Sequence, residues 1–504
     1  MQNYLARFYF SRNSWPFWLT ACAIVVWSAS AAVINPAQYA DNLEQFTWSH
    51  SFEMGYWKHP PLPTWIIAAF IRIVGFSVYW TYALAAFSFV GTAFFTWKIA
   101  QRLFGGQTAM FAVLLFGLHM GFSWRAQLYN HNTVLVLLSA ATVWATLLAL
   151  ETRRLLSWVW VGVLAGLAML SKYQAVLPLM GILIALHGGG FFKQKNVMRG
   201  VVVAGIVAWL VFIPHLLWIA ASSGSTIDNA LHSAEGLGFV PRIVKFLTFW
   251  IVQIRFHTPI LAAVAFLVLL KSKGSGLTDE QVVQRSAGTL SQQQQAWFLG
   301  LVVWPIAFVS MLVLLGGMRL EAQWGLQTFQ FLAIFIAWKL AVVLPRNSMN
   351  RTLWVVLATQ LVLGVFFAWS VIQPSQTMWR GSRTRNFPAQ SVAKEVFAHW
   401  QQATTRPLRF VVGPSMEAAI VSAYSGQYPE VLEDGDFHKS PWVAPEKLKT
   451  EGAVYLSYEA SELPEKAIIR GQLVLPARKN DFQPQRQLFW GLVLPSAICV
   501  KSVS

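Results

Sequence analysis

Acidic residues are scarce in most of the chain, and two of them lie close together in one polar stretch. Residues 1–371 contain nine Asp and Glu residues, among them Asp41 and Glu44. On a helix, residues three positions apart share one face, and a carboxylate beside a membrane can act as a general base. The same spacing suits a capping box, with Asp41 as the N-cap and Glu44 at the third helical position. The spacing alone leaves both interpretations open.

Lys58 lies in the same polar stretch, directly before His59 and two prolines. The prolines fix the start of the next apolar helix, so Lys58 and His59 are predicted at the level of the lipid headgroups. There Lys58 either binds a lipid phosphate as a point charge or extends its ammonium group to the membrane surface without a ligand. Three further basic residues end apolar runs and are candidates for the same phosphate site: Arg125, Lys172 and Arg319.

Neutral hydrogen-bonding residues follow Arg125 in the segment Asn130-His131-Asn132. Amides and imidazoles can donate and accept hydrogen bonds, which suits the hydroxyls of a sugar better than a metal ion. We expect a sugar or acceptor site formed by six residues: Tyr56, His59, Asn130, His131, Asn132 and Trp324. The chain has two cysteines and no zinc-protease motif, nucleophile elbow or phosphate-binding loop. We therefore expect no metal and no cofactor.

The elements that must position these residues are membrane helices. Hydrophobic residues make up 56% of the chain and charged residues only 12%. A soluble protein carries about 25% charged residues, so the composition excludes a purely soluble enzyme, and it excludes a disordered chain as well. A membrane span needs about 20 apolar residues. Eleven runs are assigned as spans: 15–34, 79–103, 108–124, 133–150, 156–170, 174–188, 198–221, 248–270, 296–315, 325–344 and 351–371.

The distribution of basic residues predicts the orientation of these spans. Residues 1–371 contain 23 Lys and Arg, against 15 in residues 372–504, and most of the 23 lie in short loops, unlike the basic face of a nucleic-acid-binding protein. The apolar segment 62–76 would reach only about 22 Å as a helix. If it lies along the outer surface as an interfacial helix, the basic clusters share the N-terminal side, which is the positive-inside pattern. This predicts an inner N-terminus, an outer first loop over 35–78 and an outer C-terminus.

The hydropathy changes after Trp369, and residues 372–504 are predicted to form a small extracytoplasmic α/β domain. Its predicted helices cover 388–404 and 416–425, and its predicted strands cover 408–413, 453–458 and 472–475. It has no glycine-rich phosphate loop and no metal-ligand spacing, so we expect a lid or packing domain without chemistry of its own. The overall prediction is a polytopic α-helical membrane domain over 1–371 followed by this domain.

Several motifs, in this order, resemble those of the lipid-dependent C-type glycosyltransferases. The most similar groups are the protein O-mannosyltransferase-like family and the 4-amino-4-deoxy-L-arabinose lipid A transferases, glycosyltransferase families 39 and 83. The resemblance covers roughly residues 10–345. The motifs are Asp41-x-x-Glu44, Lys58-His59-Pro60-Pro61-Leu62, Arg102-Leu103-Phe104-Gly105 and the stretch from Gly166 to Lys172.

The resemblance implies the C-type fold and transfer of a sugar from a polyprenyl-phosphate donor at the outer face of a bacterial inner membrane. The acceptor would be lipid A, lipopolysaccharide, another envelope glycan or a protein, with membrane lipid and no nucleic acid as further partners. The resemblance also implies Asp41 as the essential acid, and Lys58 and Lys172 near the carrier phosphate. Arabinose-type members often carry a second acid where this chain has Asn130-His131-Asn132, which argues against an aminoarabinose donor.

The mechanism expected from these roles is a displacement at the anomeric carbon. The polyprenyl phosphate leaves while basic residues stabilise its negative charge, and Asp41, with Glu44 as a second acid, accepts or orients the acceptor proton. Two other classes stay open. A flippase for lipid-linked sugars would also have many spans and a basic lumen, although the paired broken helices of many transporters are not seen in the sequence. A membrane scaffold would be indifferent to Asp41→Asn.

Overall fold

A computed structural model gives the fold of the protein. It describes residues 14–222, 238–272, 289–318, 321–344, 348–372, 387–467, 469–476 and 485–496. Arg319, one of the predicted phosphate ligands, lies outside the described residues. In chain order up to residue 372, the helices are α1 (Trp15–Ile34), α2 (Ala40–Trp48), α3 (Leu62–Val74), α4 (Trp80–Phe104), α5 (Gly106–Leu118), α6 (His131–Thr152), α7 (Leu155–Ser171), α8 (Val176–Gly188), α9 (Lys195–Ala221), α10 (Phe239–Ser272), α11 (Gln292–Leu314), α12 (Ala322–Thr328), α13 (Leu332–Val343) and α14 (Met349–Ile372).

Within the described residues, seven helices are long and apolar enough to cross a membrane: α1, α4, α6, α9, α10, α11 and α14. Helices α12 and α13 form an eighth candidate, a broken span bent by 54°. Three shorter apolar helices, α5, α7 and α8, coincide with the other predicted spans. Helix α3 has 13 residues, as expected of an interfacial helix. The helical membrane fold is thus confirmed, while the count of eleven spans stays a prediction.

Small residues let the spans around the site approach closely. Helix α6 is the most buried of the seven, with 72% of its apolar window inside the protein. Its neighbour α7 packs against α9 through Gly162 and Gly166. A Cβ at Gly162 would lie 2.5 Å from the carbonyl oxygen of Ala204, and one at Gly166 would lie 2.6 Å from Cβ of Val211. This small-xxx-small contact is typical of helix packing in membranes, and it fixes the end of α7, where Lys172 follows.

The C-terminal region, residues 387–496, contains a five-stranded sheet with the order β2-β1-β3-β5-β4. Strand β1 pairs in parallel with β2 and β3, and β5 pairs in antiparallel with β3 and β4. The elements are α15 (Ala389–Ala403), β1 (Phe410–Gly413), α16 (Ser415–Tyr424), β2 (Glu430–Glu433), α17 (Pro445–Glu451), β3 (Ala453–Ser457), β4 (Ile469–Pro476) and β5 (Gln485–Val493). The predicted helices and three predicted strands are present, and β2, β5 and α17 are additional.

The C-terminal region rests on the first outer loop. Helix α16 packs on α2. The ring of Tyr428 stacks on Phe76, with ring centroids 3.7 Å apart, and its hydroxyl donates to the carbonyl of Phe46. The backbone N–H of Gln38 donates to the hydroxyl of Tyr424 at 3.0 Å. The contacts therefore hold α2 between the membrane helices and the sheet.

Candidate active site

Asp41 lies at the second position of α2, and it does not cap the helix. The N-cap is Tyr39, in an extended conformation and without a side-chain capping hydrogen bond. The capping-box interpretation is therefore excluded, because the helix starts one residue before Asp41. Glu44 is likewise turned to another partner, Lys58, at 2.6 Å. Neither carboxylate therefore caps α2; each one binds a side chain from another segment.

The Asp41 carboxylate is bound by neutral amides. Its Oδ2 accepts from Nδ2 of Asn130 at 2.7 Å and, more weakly, from Nε2 of Gln323 at 3.4 Å. Asn130 is the N-cap of α6, where its Oδ1 accepts from the backbone N–H groups of Asn132 and Thr133. Because the cap fixes the amide oxygen, the amide nitrogen is directed at Asp41. The capping residue of a membrane helix thus positions the candidate catalytic acid.

The same hydrogen-bond network extends from Asp41 to Lys172. Oε1 of Gln323 accepts from Nδ2 of Asn130 at 3.1 Å and from Nδ2 of Asn132 at 2.8 Å. Oδ1 of Asn132 accepts from Nζ of Lys172 at 2.8 Å, and the ring of Trp324 lies 5.9 Å from that ammonium group. Burial lowers the pKa of Lys172 to about 8, against the opposing effect of Asp41. The structure thus brings four predicted site residues together around Gln323, which the sequence interpretation missed.

Lys58 is paired with Glu44 and does not stand alone at the membrane surface. Nζ of Lys58 lies 2.6 Å from Oε2 of Glu44. Burial raises the pKa of Glu44, an effect that Lys58 opposes, and Glu44 is the main cause that raises the pKa of Lys58. The pair therefore holds Lys58 charged beside the site, and a phosphate has to compete with Glu44 for it.

His59 and His131 form a close pair beside Glu44. Their ring centroids lie 4.1 Å apart, and Nε2 of His131 lies 3.1 Å from the carbonyl oxygen of Pro60. Burial, together with His131 and the nearby lysines, holds the pKa of His59 well below its usual range. The ligand atoms of Glu44, His59 and His131 all lie within 4.8 Å of one another, so these residues offer a donor set for a divalent cation. Lys58 already neutralises the charge of Glu44, the anionic member of this set.

Two other predicted residues have different surroundings. Tyr56 is 2% exposed, stacks on Trp48 with ring centroids 5.0 Å apart, and donates its hydroxyl to the carbonyl of Ser51. Its ring and hydroxyl are therefore used in packing, and its role as a sugar contact stays a prediction. Arg125 lies over the ring of Phe256 and lines a cavity together with Asn130 and Gln323. In the part of the chain that the structure describes, Arg125 forms no ion pair.

The C-terminal region contributes one acid to the surroundings of the site. Oε1 of Glu433 accepts from Nε1 of the Trp48 indole at 2.7 Å, and both side chains are buried. Burial and, to a smaller extent, Glu44 raise the pKa of Glu433 to about 7. No motif could have revealed Glu433, because its place depends on how a distant strand docks against α2.

Comparison with known proteins shows which fold this architecture has. Residues 58–218 match the family model described as dolichyl-phosphate-mannose-protein mannosyltransferase. Over 95% of its length, the chain superposes on 98% of the crystal structure of ArnT from Cupriavidus metallidurans bound to undecaprenyl phosphate, with a TM-score of 0.59 and 14% sequence identity. The protein has the C-type glycosyltransferase fold. The fold implied by the ordered set of motifs is confirmed.

Two curated relatives of this glycosyltransferase-fold protein come from Rhizobium johnstonii. Lipid A galacturonosyltransferase RgtD is 26% identical over 197 residues, which cover 38% of this chain and 40% of the relative. Lipopolysaccharide core galacturonosyltransferase RgtA is 24% identical over 221 residues, which cover 42% of this chain and 44% of the relative. The chain thus spans less than half the length of the curated relatives it matches.

Proposed function

We propose that the protein is an integral membrane glycosyltransferase that moves a sugar from a polyprenyl-phosphate donor to lipid A, lipopolysaccharide or another envelope glycan. The observation that carries the proposal is the continuous network from Asp41 through Asn130, Gln323 and Asn132 to Lys172. It holds an acid and an ammonium group on one half-buried polar surface. This is the arrangement that transfer from a phosphate leaving group needs.

The proposed reaction is one displacement at the anomeric carbon. An acceptor oxygen forms the new bond to this carbon while the bond to the phosphate oxygen breaks, and the bonding electrons leave with the phosphate. Asp41 takes the acceptor proton, or orients the acceptor if it is already ionised. Lys172 is placed to stabilise the charge on the departing phosphate, and Lys58 joins it on release from Glu44.

The proposed donor sugar is a uronic acid. RgtD and RgtA carry galacturonosyltransferase names, and Arg125 lines a cavity together with Asn130 and Gln323, the two amides that bind Asp41. Arginine binds carboxylates strongly, so Arg125 gives a sugar carboxylate a partner. Arg125→Ala tests this role with two donors: a selective loss with the uronosyl donor supports carboxylate binding, and an equal loss with a neutral hexosyl donor assigns Arg125 to the phosphate, as the sequence predicted.

The proposed topology follows the charge pattern of the sequence. Residues 1–371 form the transferase domain of an inner-membrane protein with a cytoplasmic N-terminus, and residues 372–504 form a periplasmic domain. The docking of the C-terminal region on the first outer loop supports placing both on the same side of the membrane. Cysteine labelling at position 450 from the periplasm is the expected result, and labelling only from the cytoplasm would overturn the topology.

The proposed function is tested with the purified full-length protein in detergent. The donor is polyprenyl-phosphate-linked galacturonic acid, the acceptor is lipid A, and mass spectrometry detects the added sugar. We expect one uronosyl residue per acceptor, with no product when the donor is a nucleotide sugar. Transfer to a serine- and threonine-containing peptide instead would identify a protein O-glycosyltransferase. Movement of the donor across vesicle membranes without any product would identify a flippase.

A further inference from the structure

The two ends of α2 lie in different surroundings, and the C-terminal end carries Trp48. This indole is 0% exposed and donates its Nε1–H to Oε1 of Glu433 at 2.7 Å. Glu433 is the last residue of β2 and is 3% exposed. Because a buried polar group without a partner is costly, each of the two side chains fixes the other. The hydrogen bond joins residues 385 positions apart in the sequence.

Trp48 forms a wall of the histidine pair. Its ring centroid lies 6.2 Å from that of His59 and 5.9 Å from that of His131, both in edge contact. The opposite support is Tyr56, whose ring is parallel to the indole within 3°. A rotation of Trp48 would therefore displace both imidazoles and open the space next to the Glu44–Lys58 pair.

Glu433 itself is held by the sheet. Its backbone N–H donates to Oγ of Ser440 at 2.9 Å, and β2 pairs along its whole length with β1. The next residue, Asp434, turns the chain with a φ of 54° and accepts from Nζ of Lys439 at 2.8 Å. The carboxyl group that meets Trp48 is thus presented by a fixed strand end, which is a more precise support than a free loop.

We propose that Glu433 is a positioning residue for the transfer reaction, which acts through Trp48 to fix His59, His131 and the end of α2. The C-terminal region is then part of the active-site wall and not only a cover over it. This inference rests on the proposed glycosyltransferase function, and it adds a residue that touches neither sugar nor phosphate.

The alternative is that Glu433 acts through its charge. The charged groups that face it are Glu44 on α2, Lys58 in the first loop and Asp434 in the turn directly after β2; Ser415, at the start of α16, is a polar neighbour. A carboxylate and a carboxylic acid can both accept from an indole N–H through a carboxyl oxygen, and so can the amide of glutamine. A positioning role therefore tolerates Glu433→Gln, whereas a role in proton transfer does not.

The experiment compares four variants of the full-length protein in the transfer assay. Glu433→Gln keeps the acceptor and is expected to keep kcat within about threefold of wild type. Glu433→Ala and Trp48→Phe each remove one partner and are expected to lower kcat about tenfold, the value of one buried hydrogen bond, with little change in donor KM. The double variant Glu433→Ala/Trp48→Phe is expected to have about the same kcat as either single variant, because both substitutions remove the same hydrogen bond.

Two further measurements keep the test decisive. Tyr458→Phe is the matched control, since Tyr458 donates to the buried Glu417 inside the C-terminal region, and we expect near-wild-type turnover. The second measurement is independent of turnover: modification of His59 and His131 by diethyl pyrocarbonate, mapped by mass spectrometry, is expected to accelerate in Glu433→Ala but not in Glu433→Gln. The modification rates test whether Glu433 fixes the histidine pair even if the wild type transfers no sugar.

Three results would overturn the inference. A Glu433→Gln variant as slow as Glu433→Ala would assign the role to the charge of Glu433. Multiplying losses in the double variant would mean that Glu433 and Trp48 act separately. Equal histidine modification rates in all variants would mean that the hydrogen bond does not control the histidine pair.

Discussion

The two carboxylates of α2 lie one helical turn apart and have opposite surroundings. Asp41 is bound by the neutral amides of Asn130 and Gln323, and among the described residues no direct ion pair cancels its charge. Glu44 is neutralised by Lys58 at 2.6 Å. One face of α2 therefore carries two acids with different roles. Asp41 is available for chemistry, whereas Glu44 holds Lys58 in an ion pair.

After the replacement of Asp41, the largest loss of activity is expected for a variant of Lys172, the cation at the other end of the network that begins at Asp41. Lys172→Ala removes the ammonium group that we propose faces the departing phosphate, and the loss of such a charge typically costs about 10²–10³-fold in rate. The lowered pKa of about 8 adds a signature: Lys172 is charged below this pH and loses its charge above it, so activity should fall as the pH rises past 8. Lys172→Arg should move this decline to higher pH, and a decline that stays at the same pH would assign it to another group.

The next largest effect is expected at Gln323, which tests whether the amides hold Asp41. Gln323→Leu removes one donor to Asp41 and the shared acceptor of Asn130 and Asn132. We expect a loss of about tenfold in kcat/KM, in line with one hydrogen bond to a charged group. Gln323→Glu keeps the acceptor but places a second negative charge near Asp41, so it should lose more than Gln323→Leu. Equal activity of the two variants would contradict the network.

On the Glu44 side, Lys58→Ala is expected to raise the donor KM roughly tenfold, because a charge-assisted contact to phosphate is worth about 1.5–3 kcal/mol and Glu44 offsets part of it. Glu44→Gln frees Lys58 from its ion pair, so it should leave the donor KM unchanged or lower it. The measurement is a donor titration of both variants. An unchanged titration in Lys58→Ala would remove Lys58 from the phosphate site and leave a surface ion pair of small value.

The smallest expected effect concerns the stability contribution of Glu433. Its pKa is raised to about 7, so between pH 4.5 and 7 the folded protein binds its proton more tightly than the unfolded chain does. Stability from this group is therefore present at low pH and is lost as the pH rises through this window. Relative to Glu433→Gln, the wild-type Tm should fall by a few degrees from pH 5 to pH 7.5. A Tm difference independent of pH would contradict the buried, protonated carboxyl.

The parts of the fold that follow local patterns were predictable from the sequence. Apolar runs of spanning length gave the membrane helices, and the short run that became α3 was separated from them by its length together with the positive-inside pattern of the basic loops. Strand β2 was missed because it has only four residues, with glutamates at both ends. Strand β5 was missed because its first three residues are polar.

The candidate site was predictable where neighbouring residues carry it, as at Asp41 and at Asn130-His131-Asn132. Gln323 was missed although its neighbour Trp324 was selected, because it does not lie in a run of neighbouring polar residues such as Asn130-His131-Asn132. Glu433 could not be predicted, since only the docking of β2 on the first loop brings it to Trp48. The ion pair between Lys58 and Glu44 was missed, because a sequence shows which residues are charged but not which of them pair.

Asp41 carries the central claim, and its replacement by asparagine tests it most directly. Asparagine is close to aspartate in size and its amide oxygen can still accept a hydrogen bond from Asn130, but it takes up no proton and carries no charge. The measurement is sugar transfer by wild type, Asp41→Asn and Glu44→Gln, beside the thermal unfolding of each. The account predicts a loss of about 10²-fold or more in Asp41→Asn, a much smaller loss in Glu44→Gln, and nearly equal melting temperatures. Near-wild-type transfer by Asp41→Asn would contradict it.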